Sequence, residues 1–407
     1  MKLREAYDVW VSIKLLIRII AGLLAGVVLA VLLPDLPYLH ILGDMFIGAL
    51  KAIAPILVFL LVISALSKSR QKLGPQFKVV IVLYIVSTIL SAIVAVMFDL
   101  IHPLTVTLSI PGGTSTVNDF ETLISNLANN LVQNPVSAII NGNYLGVLFW
   151  SVLFGLLLKK YGSDAAIDLA SNLSNVVTHV IRVVIEFAPL GIFGIVYNTI
   201  SKNSISIFQE YGALILVLVA AMLVVMFVTN PILVALITRR NPYPLLFRCL
   251  KTSALTAFFT RSSAANIPVN MKLAKEMDLD EEFYSVSIPL GATINMNGAA
   301  ITISMLALVC ANSINQEVNV GLAILLCVVS AIAACGASGV AGGSLLLVPL
   351  ACSMFGISDD IAMQMVAIGF TIGVIQDSME TALNSSSDIL FTAAADIYER
   401  PDHEFKI

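Results

Sequence analysis

The sequence predicts an all-α polytopic membrane protein with eight transmembrane helices and two re-entrant hairpins. Three observations carry that expectation. Of 407 residues, 58% are hydrophobic and 12% charged, and mean hydropathy is +0.95, where a soluble chain carries about 25% charged residues. Apolar runs long enough to cross a bilayer as helices, ~20 residues each, recur along the chain. Two further apolar stretches are interrupted by residues that cannot stay helical. This composition excludes a soluble enzyme and a disordered protein. The net charge of −4 offers no basic field to a nucleic acid.

The predicted spans lie near 9–33, 41–66, 77–100, 142–158, 165–200, 208–238, 281–311 and 359–397. The first is longer than the apolar region of a signal peptide and is taken as a retained span. Pro189 marks a candidate kink in the fifth. Basic residues orient the set by the positive-inside rule: Lys2, Arg4, Lys14 and Arg18 at the start, Lys68, Arg70, Lys72 and Lys78 after the second span, Lys159 and Lys160 after the fourth, Arg239 and Arg240 after the sixth. The stretch 102–141 has no Lys or Arg and reads as external. Both termini are therefore expected in the cytoplasm.

Between Arg239–Arg240 and Lys272–Lys275, both basic and both inside, lie about thirty residues containing LKTSALTAFFTRSSAANIPV. A hairpin over 243–277, entering from inside and turning at Arg261–Pro268, fits this stretch better than a full crossing. The second interruption, 318–355, carries CGASGVAGGS between apolar arms, with Glu317, Asp359 and Asp360 at its flanks and no basic residue; it is expected to enter from outside. Irregular backbone at membrane depth survives only where protein or a wet cavity satisfies it. Two such segments from opposite faces point to a transporter with inverted repeats and a midplane site. The alternative is two ordinary helices packed through small residues.

The last span contains QDSMETALNSSSD. At ~100° per residue, Asp377, Glu380, Thr381, Asn384 and Asp388 share one arc about 100° wide. Carboxylates at that depth are a functional hypothesis by default, and the stripe calls for a mobile cation or a ligand ammonium. The alternative is structural hydrogen bonding, or pairing with Arg261. The preceding span holds SIPLGATINMNGAAI, in which Pro289 and Gly291 interrupt the helix and Asn295–Met296–Asn297–Gly298 brings amides mid-span. Freed carbonyls beside a carboxylate make a sodium site. Cys249, Cys310, Cys327, Cys335 and Cys352 read as packing residues, and His40, His102, His179 and His403 form no cluster. The absence of a P-loop, GxSxG or HExxH pattern leaves no cofactor or hydrolytic chemistry to expect, so energy is expected from an ion gradient or a partner subunit.

The ordered set RSSAANIPV, GATINMNGA, CGASGVAGGS and QDSMETALNSSSD resembles the dicarboxylate/amino acid:cation symporter family, that of the glutamate transporters, and within it the bacterial serine/threonine:sodium symporter branch. The resemblance implies a homotrimer in a bacterial inner membrane. Residues 1–240 would form mainly the scaffold, the third span lying partly in the transport unit; 241–397 would form a core moving as an elevator, followed by a tail, 398–407. It further implies that Ser263 and the Val340–Gly342 backbone hold the substrate carboxylate with Asn384, that Asp377 holds the ammonium, and that Thr381 lines the same site. One sodium would be held by Gly291, Asn295, Asn384 and Asp388, a second by Thr293, Met296 and carbonyls of the second hairpin. Tyr84, Ser87 and Thr88 match a third cation site. Where the family has aspartate, threonine, proline and aspartate, this chain has Asn297, Ala299, Ala341 and Gly373, which puts the third ion in doubt. Where glutamate-transporting relatives carry an arginine, this chain has Glu380. The resemblance thus implies a small neutral hydroxylated substrate, L-serine or L-threonine, coupled to sodium. Arg261 is the complication: if free, it would suit an acidic substrate. A channel would share the polar stripe but needs no occluding hairpins, and an enzyme would need a nucleophile–base pair that the pattern lacks.

Overall fold

The structure is a computed structural model that describes residues 13, 15–34, 36–67, 75–108, 129, 131–203, 207–337 and 342–406. Among these no strand occurs, and the elements follow one another as helices. They are α1 Leu15–Leu32, α2 His40–Ser67, α3 Pro75–Ile101, α4 Pro135–Ile140, α5 Tyr144–Tyr161, α6 Asp164–Glu186, α7 Ala188–Asn203, α8 Ile207–Val224 and α9 Asn230–Thr238. There follow α10 Tyr243–Cys249, α11 Leu255–Thr260, α12 Ser263–Glu276, α13 Glu281–Ile294, α14 Asn297–Ser313, α15 Val320–Ala334, α16 Val348–Ser353 and α17 Asp359–Glu399. Among the described residues, five helices are long and apolar enough to cross a membrane, with a sixth crossing if α6 and α7 count as one bent span. This is the architecture of a polytopic membrane protein.

The surface composition agrees. On α6, Ser171, Ser174 and Thr178 face inward, while Leu169, Val176, Val183 and Phe187 are each at least 58% exposed. Large apolar side chains exposed along a long helix suit contact with lipid or with another protein. The bend between α6 and α7 is 52°. It falls at Phe187, two residues before Pro189, because Pro189 is accommodated in the first turn of the new helix, where its missing N–H has no intrahelical partner to lose.

Helices α1, α2, α5, α6 and α7 pack on one another, while α3 packs against α14, α15 and α17. Helices α8 and α9 are joined by a π-helical turn, Val225–Thr229, and α10 and α11 by another, Leu250–Ala254. The α11–α12 reversal occurs at Arg261–Ser262: Arg261 adopts φ 52° and ψ 35°, a left-handed conformation that closes the helix end, and Ser262 caps α12 by accepting from Ala265 N–H. The turn is therefore tighter than the expected Arg261–Pro268. Pro268 lies inside α12, sixth in the helix. The span expected at 281–311 is two helices, broken at Asn295–Met296 and not at the expected Pro289 and Gly291, which both lie inside α13.

The chain's end is anchored. Arg400 Nε donates to Asp396 Oδ1 at 2.7 Å, and Asp396 Oδ2 accepts from Asp280 N–H at 2.8 Å. That hydrogen bonding to Asp396 pushes the Arg400 pKa above its usual value. Lys406 N–H reaches the Met277 carbonyl, so residues 400–406 close over the exit of α12.

Candidate functional site

The break between α13 and α14 organises the site. A helix start leaves orphan N–H groups, and here Asn384 Oδ1, from α17, accepts from Gly298 N–H at 2.7 Å. The amide expected to hold a substrate carboxylate thus serves as a cap supplied from another helix, its Nδ2 lying 3.5 Å from Met296 Sδ. Gly298 is required by the close approach: an added Cβ would lie 2.8 Å from Glu380 Cα.

Asp388 sits at the other side of the break, fully buried. Its Oδ1 accepts from Asn295 Nδ2 at 2.8 Å, and its Oδ2 is buried without a hydrogen-bond partner. Asn295 Nδ2 also donates to Ser387 Oγ at 2.7 Å. Tyr84 OH spans Ser287 O, Asp388 O and Thr392 Oγ1 at 3.1–3.3 Å. A Cβ on Gly291 would fall 2.8 Å from Tyr84 Oη and 2.9 Å from Asp388 Oδ1. A carboxylate with one oxygen unpaired, beside the Tyr84 hydroxyl and the amide of Asn295, is the oxygen-rich chemistry that a hard cation takes. Beside it, Asn297 Oδ1 accepts from Ser87 Oγ at 3.0 Å and Thr88 Oγ1 at 3.2 Å, and Asn297 Nδ2 donates to Ser387 Oγ. The cluster expected as a third cation site is assembled, but it is neutral and internally satisfied.

At the other end of the arc, Arg261 Nε donates to Asp377 Oδ2 at 2.6 Å. Asp377 Oδ1 accepts from Gly342 N–H at 3.2 Å, and Gly342 has φ 74°, a conformation that favours glycine. One turn along, Glu380 Oε2 accepts from Gln376 Nε2 at 2.6 Å, Thr302 Oγ1 at 2.7 Å and Ser344 Oγ at 2.8 Å. Thr381 Oγ1 returns to the Asp377 carbonyl at 2.7 Å. Ser263 is buried at the first turn of α12.

The structure therefore brings together Tyr84, Ser87, Thr88, Gly291, Asn295, Met296, Asn384 and Asp388 at one end of the arc, and Gly342, Asp377 and Glu380 at the other. It does not bring in the hydroxyl of Thr293, which is exposed and donates to Leu290 O at 2.7 Å. Val340 and Ala341 lie outside the described residues.

The sequence profile of the sodium:dicarboxylate symporter family matches residues 15–397. The chain belongs to that family. It is also 50% identical over 402 residues, 97% of this chain and 92% of the relative, to the serine/threonine transporter SstT of Bifidobacterium adolescentis. As a sodium:dicarboxylate symporter, the chain is a transporter with sodium as its coupling ion.

Several members of this symporter's polar cluster escaped the sequence reading: Ser387, Gln376, Thr302 and Ser344. Ser387 and Gln376 lie about 20–40° beyond the acidic edge of the α17 arc at ~100° per residue, so a wider arc would have found them. Thr302 and Ser344 come from α14 and the second interrupted segment, and no periodicity marks them.

Proposed function

We propose that this chain imports serine and threonine with sodium, through an elevator-type motion of the α10–α17 core, together with part of α3, against the remaining helices in a homotrimer. Residues 243–277 and 318–355 would act as re-entrant hairpins from opposite faces. The observation that carries the substrate reading is the pairing at the arc's substrate end: the Arg261 guanidinium is tied to Asp377, and the neighbouring Glu380 is acidic. A substrate carboxylate near Glu380 would meet a like charge, costing about 4 kcal/mol at ~4 Å and an effective dielectric of ~20. A hydroxyl would meet an acceptor.

Asp377 has room for an ammonium. A carboxylate offers about four acceptor positions, and Arg261 and Gly342 use two of them. The substrate carboxylate would be held from Ser263 and the backbone around Gly342. The sodium ion would take the space between Gly291, Asn295 and Asp388, supplying the positive charge that the unpaired Oδ2 lacks. The neutral Asn297 cluster supports fewer coupled ions than a carboxylate there would draw. One positive charge carried inward gains ~2.3 kcal/mol per 100 mV, roughly fiftyfold accumulation, so a single ion suffices for useful work.

The test is uptake of labelled serine into proteoliposomes under imposed sodium or proton gradients, with competition by excess threonine, alanine and aspartate. Sodium-driven uptake, blocked by threonine and untouched by aspartate at pH 7, is the expected result. Equal drive by protons without sodium, or strong inhibition by aspartate, would refute the reading in favour of a proton-coupled or acidic amino-acid transporter.

A further inference from the structure

We propose that Ser344, Thr302 and Gln376 set the preference for a hydroxylated ligand, by fixing the Glu380 carboxylate so that its second oxygen is presented as the hydroxyl acceptor. The inference rests on the serine and threonine reading above and assigns positioning roles to three residues within it.

All three donors converge on one oxygen. Gln376 Nε2, Thr302 Oγ1 and Ser344 Oγ lie 2.6, 2.7 and 2.8 Å from Glu380 Oε2. They arrive from three separate pieces of chain: α17 itself, α14, and the residue just before the 3₁₀ turn Leu345–Leu347. Gln376 Nε2 also donates to Thr302 Oγ1 at 2.8 Å, which orients that hydroxyl to give its proton to Glu380. Each member is at most 5% exposed. Glu380 Oε1, by contrast, accepts no hydrogen bond from a described residue. The stem is held too: Gly298 packs so closely that a Cβ there would lie 3.0 Å from Glu380 Cγ.

A carboxylate whose stem is pinned and whose one oxygen is tied in three directions cannot turn to offer either oxygen at will. The free oxygen then has a set direction, and a ligand hydroxyl donating to it completes the acid's hydrogen bonding. A bound ligand lacking the hydroxyl would cover that acceptor without pairing it, which is how such sites discriminate.

Gln376 supplies the second observation. Its Oε1 is buried without a partner, and a flip of the amide would replace the donor 2.6 Å from Glu380 Oε2 with an oxygen. A native structure that keeps an unsatisfied buried acceptor calls for a reason. Here the reason is that only a side chain donating from this position holds both Thr302 and Glu380.

The test is the ratio of alanine to serine dissociation constants, measured on purified full-length protein in sodium. In Thr302→Val, Ser344→Ala and Gln376→Met that ratio should fall about tenfold, equivalent to about 1.4 kcal/mol, with alanine affinity held within threefold. Thr302→Ser and Ser344→Thr, which restore a hydroxyl, should keep the wild-type ratio. The alanine constant serves as the control for folding in each variant. A ratio unmoved in Thr302→Val and Gln376→Met, or serine and alanine weakened in parallel, would overturn the inference and leave these residues structural. Wild-type serine uptake that ignores sodium would sink the transport reading. An unmoved ratio with sodium-driven uptake intact would sink only the positioning roles.

Discussion

Replacing Asp388 by asparagine isolates the electrostatic part of the proposed sodium site. The change keeps the shape, and the oxygen that accepts from Asn295 Nδ2 at 2.8 Å remains an acceptor, so α13 and α17 should stay joined. What disappears is a full negative charge on a side chain with no exposed surface. The oxygen converted to NH₂ is the one now buried without a partner, so the variant also puts a donor where the proposed ion would find its free carboxylate oxygen. Removing one member of a buried ion pair costs about 3–5 kcal/mol, which corresponds to a loss of sodium affinity of about two to nearly four orders of magnitude. The assay is a sodium titration of serine uptake in proteoliposomes, paired with thermal unfolding in the presence and absence of sodium. Sodium should raise the melting temperature of the wild type, since a ligand at a hundred times its dissociation constant stabilises by about 2.7 kcal/mol, and should leave the variant unmoved. A variant whose sodium half-saturation stays within threefold of wild type would refute the placement of the ion at Asp388.

Gly291→Ala should reduce sodium dependence without unfolding the protein, because the new Cβ would lie 2.8 Å from Tyr84 Oη and 2.9 Å from Asp388 Oδ1; the same titration reads it, and an unchanged sodium response would count against a cation in that space. Asn297→Asp places a carboxylate where Ser87 and Thr88 already donate, so the steepness of uptake against sodium concentration should rise, and an unchanged Hill coefficient would show that the neutral amide was not what limited ion number. Arg400→Ala removes the partner of Asp396, whose side chain is fully buried, and should lower stability by about 1–3 kcal/mol with serine affinity preserved; unfolding of wild type and variant at equal temperature would contradict the anchoring role of the tail.

Much of this arrangement was legible in the chain. The α17 arc followed from a 100° rotation per residue, and the reversal near Arg261 from a charged, serine-rich stretch between two basic flanks; an interruption of the 281–311 span was expected too, but at Pro289 and Gly291, whereas the helix runs through both and breaks at Asn295–Met296. What escaped depends on distances between segments. Arg261 and Asp377 stand 116 positions apart, and nothing local chooses Asp377 over Glu380 as the guanidinium's partner. Asn384, expected to face a ligand, also caps α14 through its Oδ1, because a helix break leaves N–H groups whose nearest acceptor can lie on another helix. Thr293 carries a plausible ligand type, but its rotation on α13 turns it outward, an outcome set by how α13 seats against α17. The bend at Phe187 was displaced from Pro189 by two residues because proline favours the first turn of the helix that follows.

Helix α17 runs 41 residues without interruption, about 60 Å at 1.5 Å per residue, and it alone carries Asp377, Glu380, Asn384 and Asp388. The proposed amino-acid and sodium ligands are thus graduations on a single ruler. Adding or deleting one residue between Asp377 and Asp388 would swing one set by about 100° relative to the other, destroying the alignment of both with α13 and α14. Side chains along this stretch can be exchanged one at a time, and the chemistry of the cargo revised with them, but the count of residues cannot drift. Length here is under stricter control than identity, and a one-residue insertion after Thr381 should be more damaging than any single substitution in the same interval.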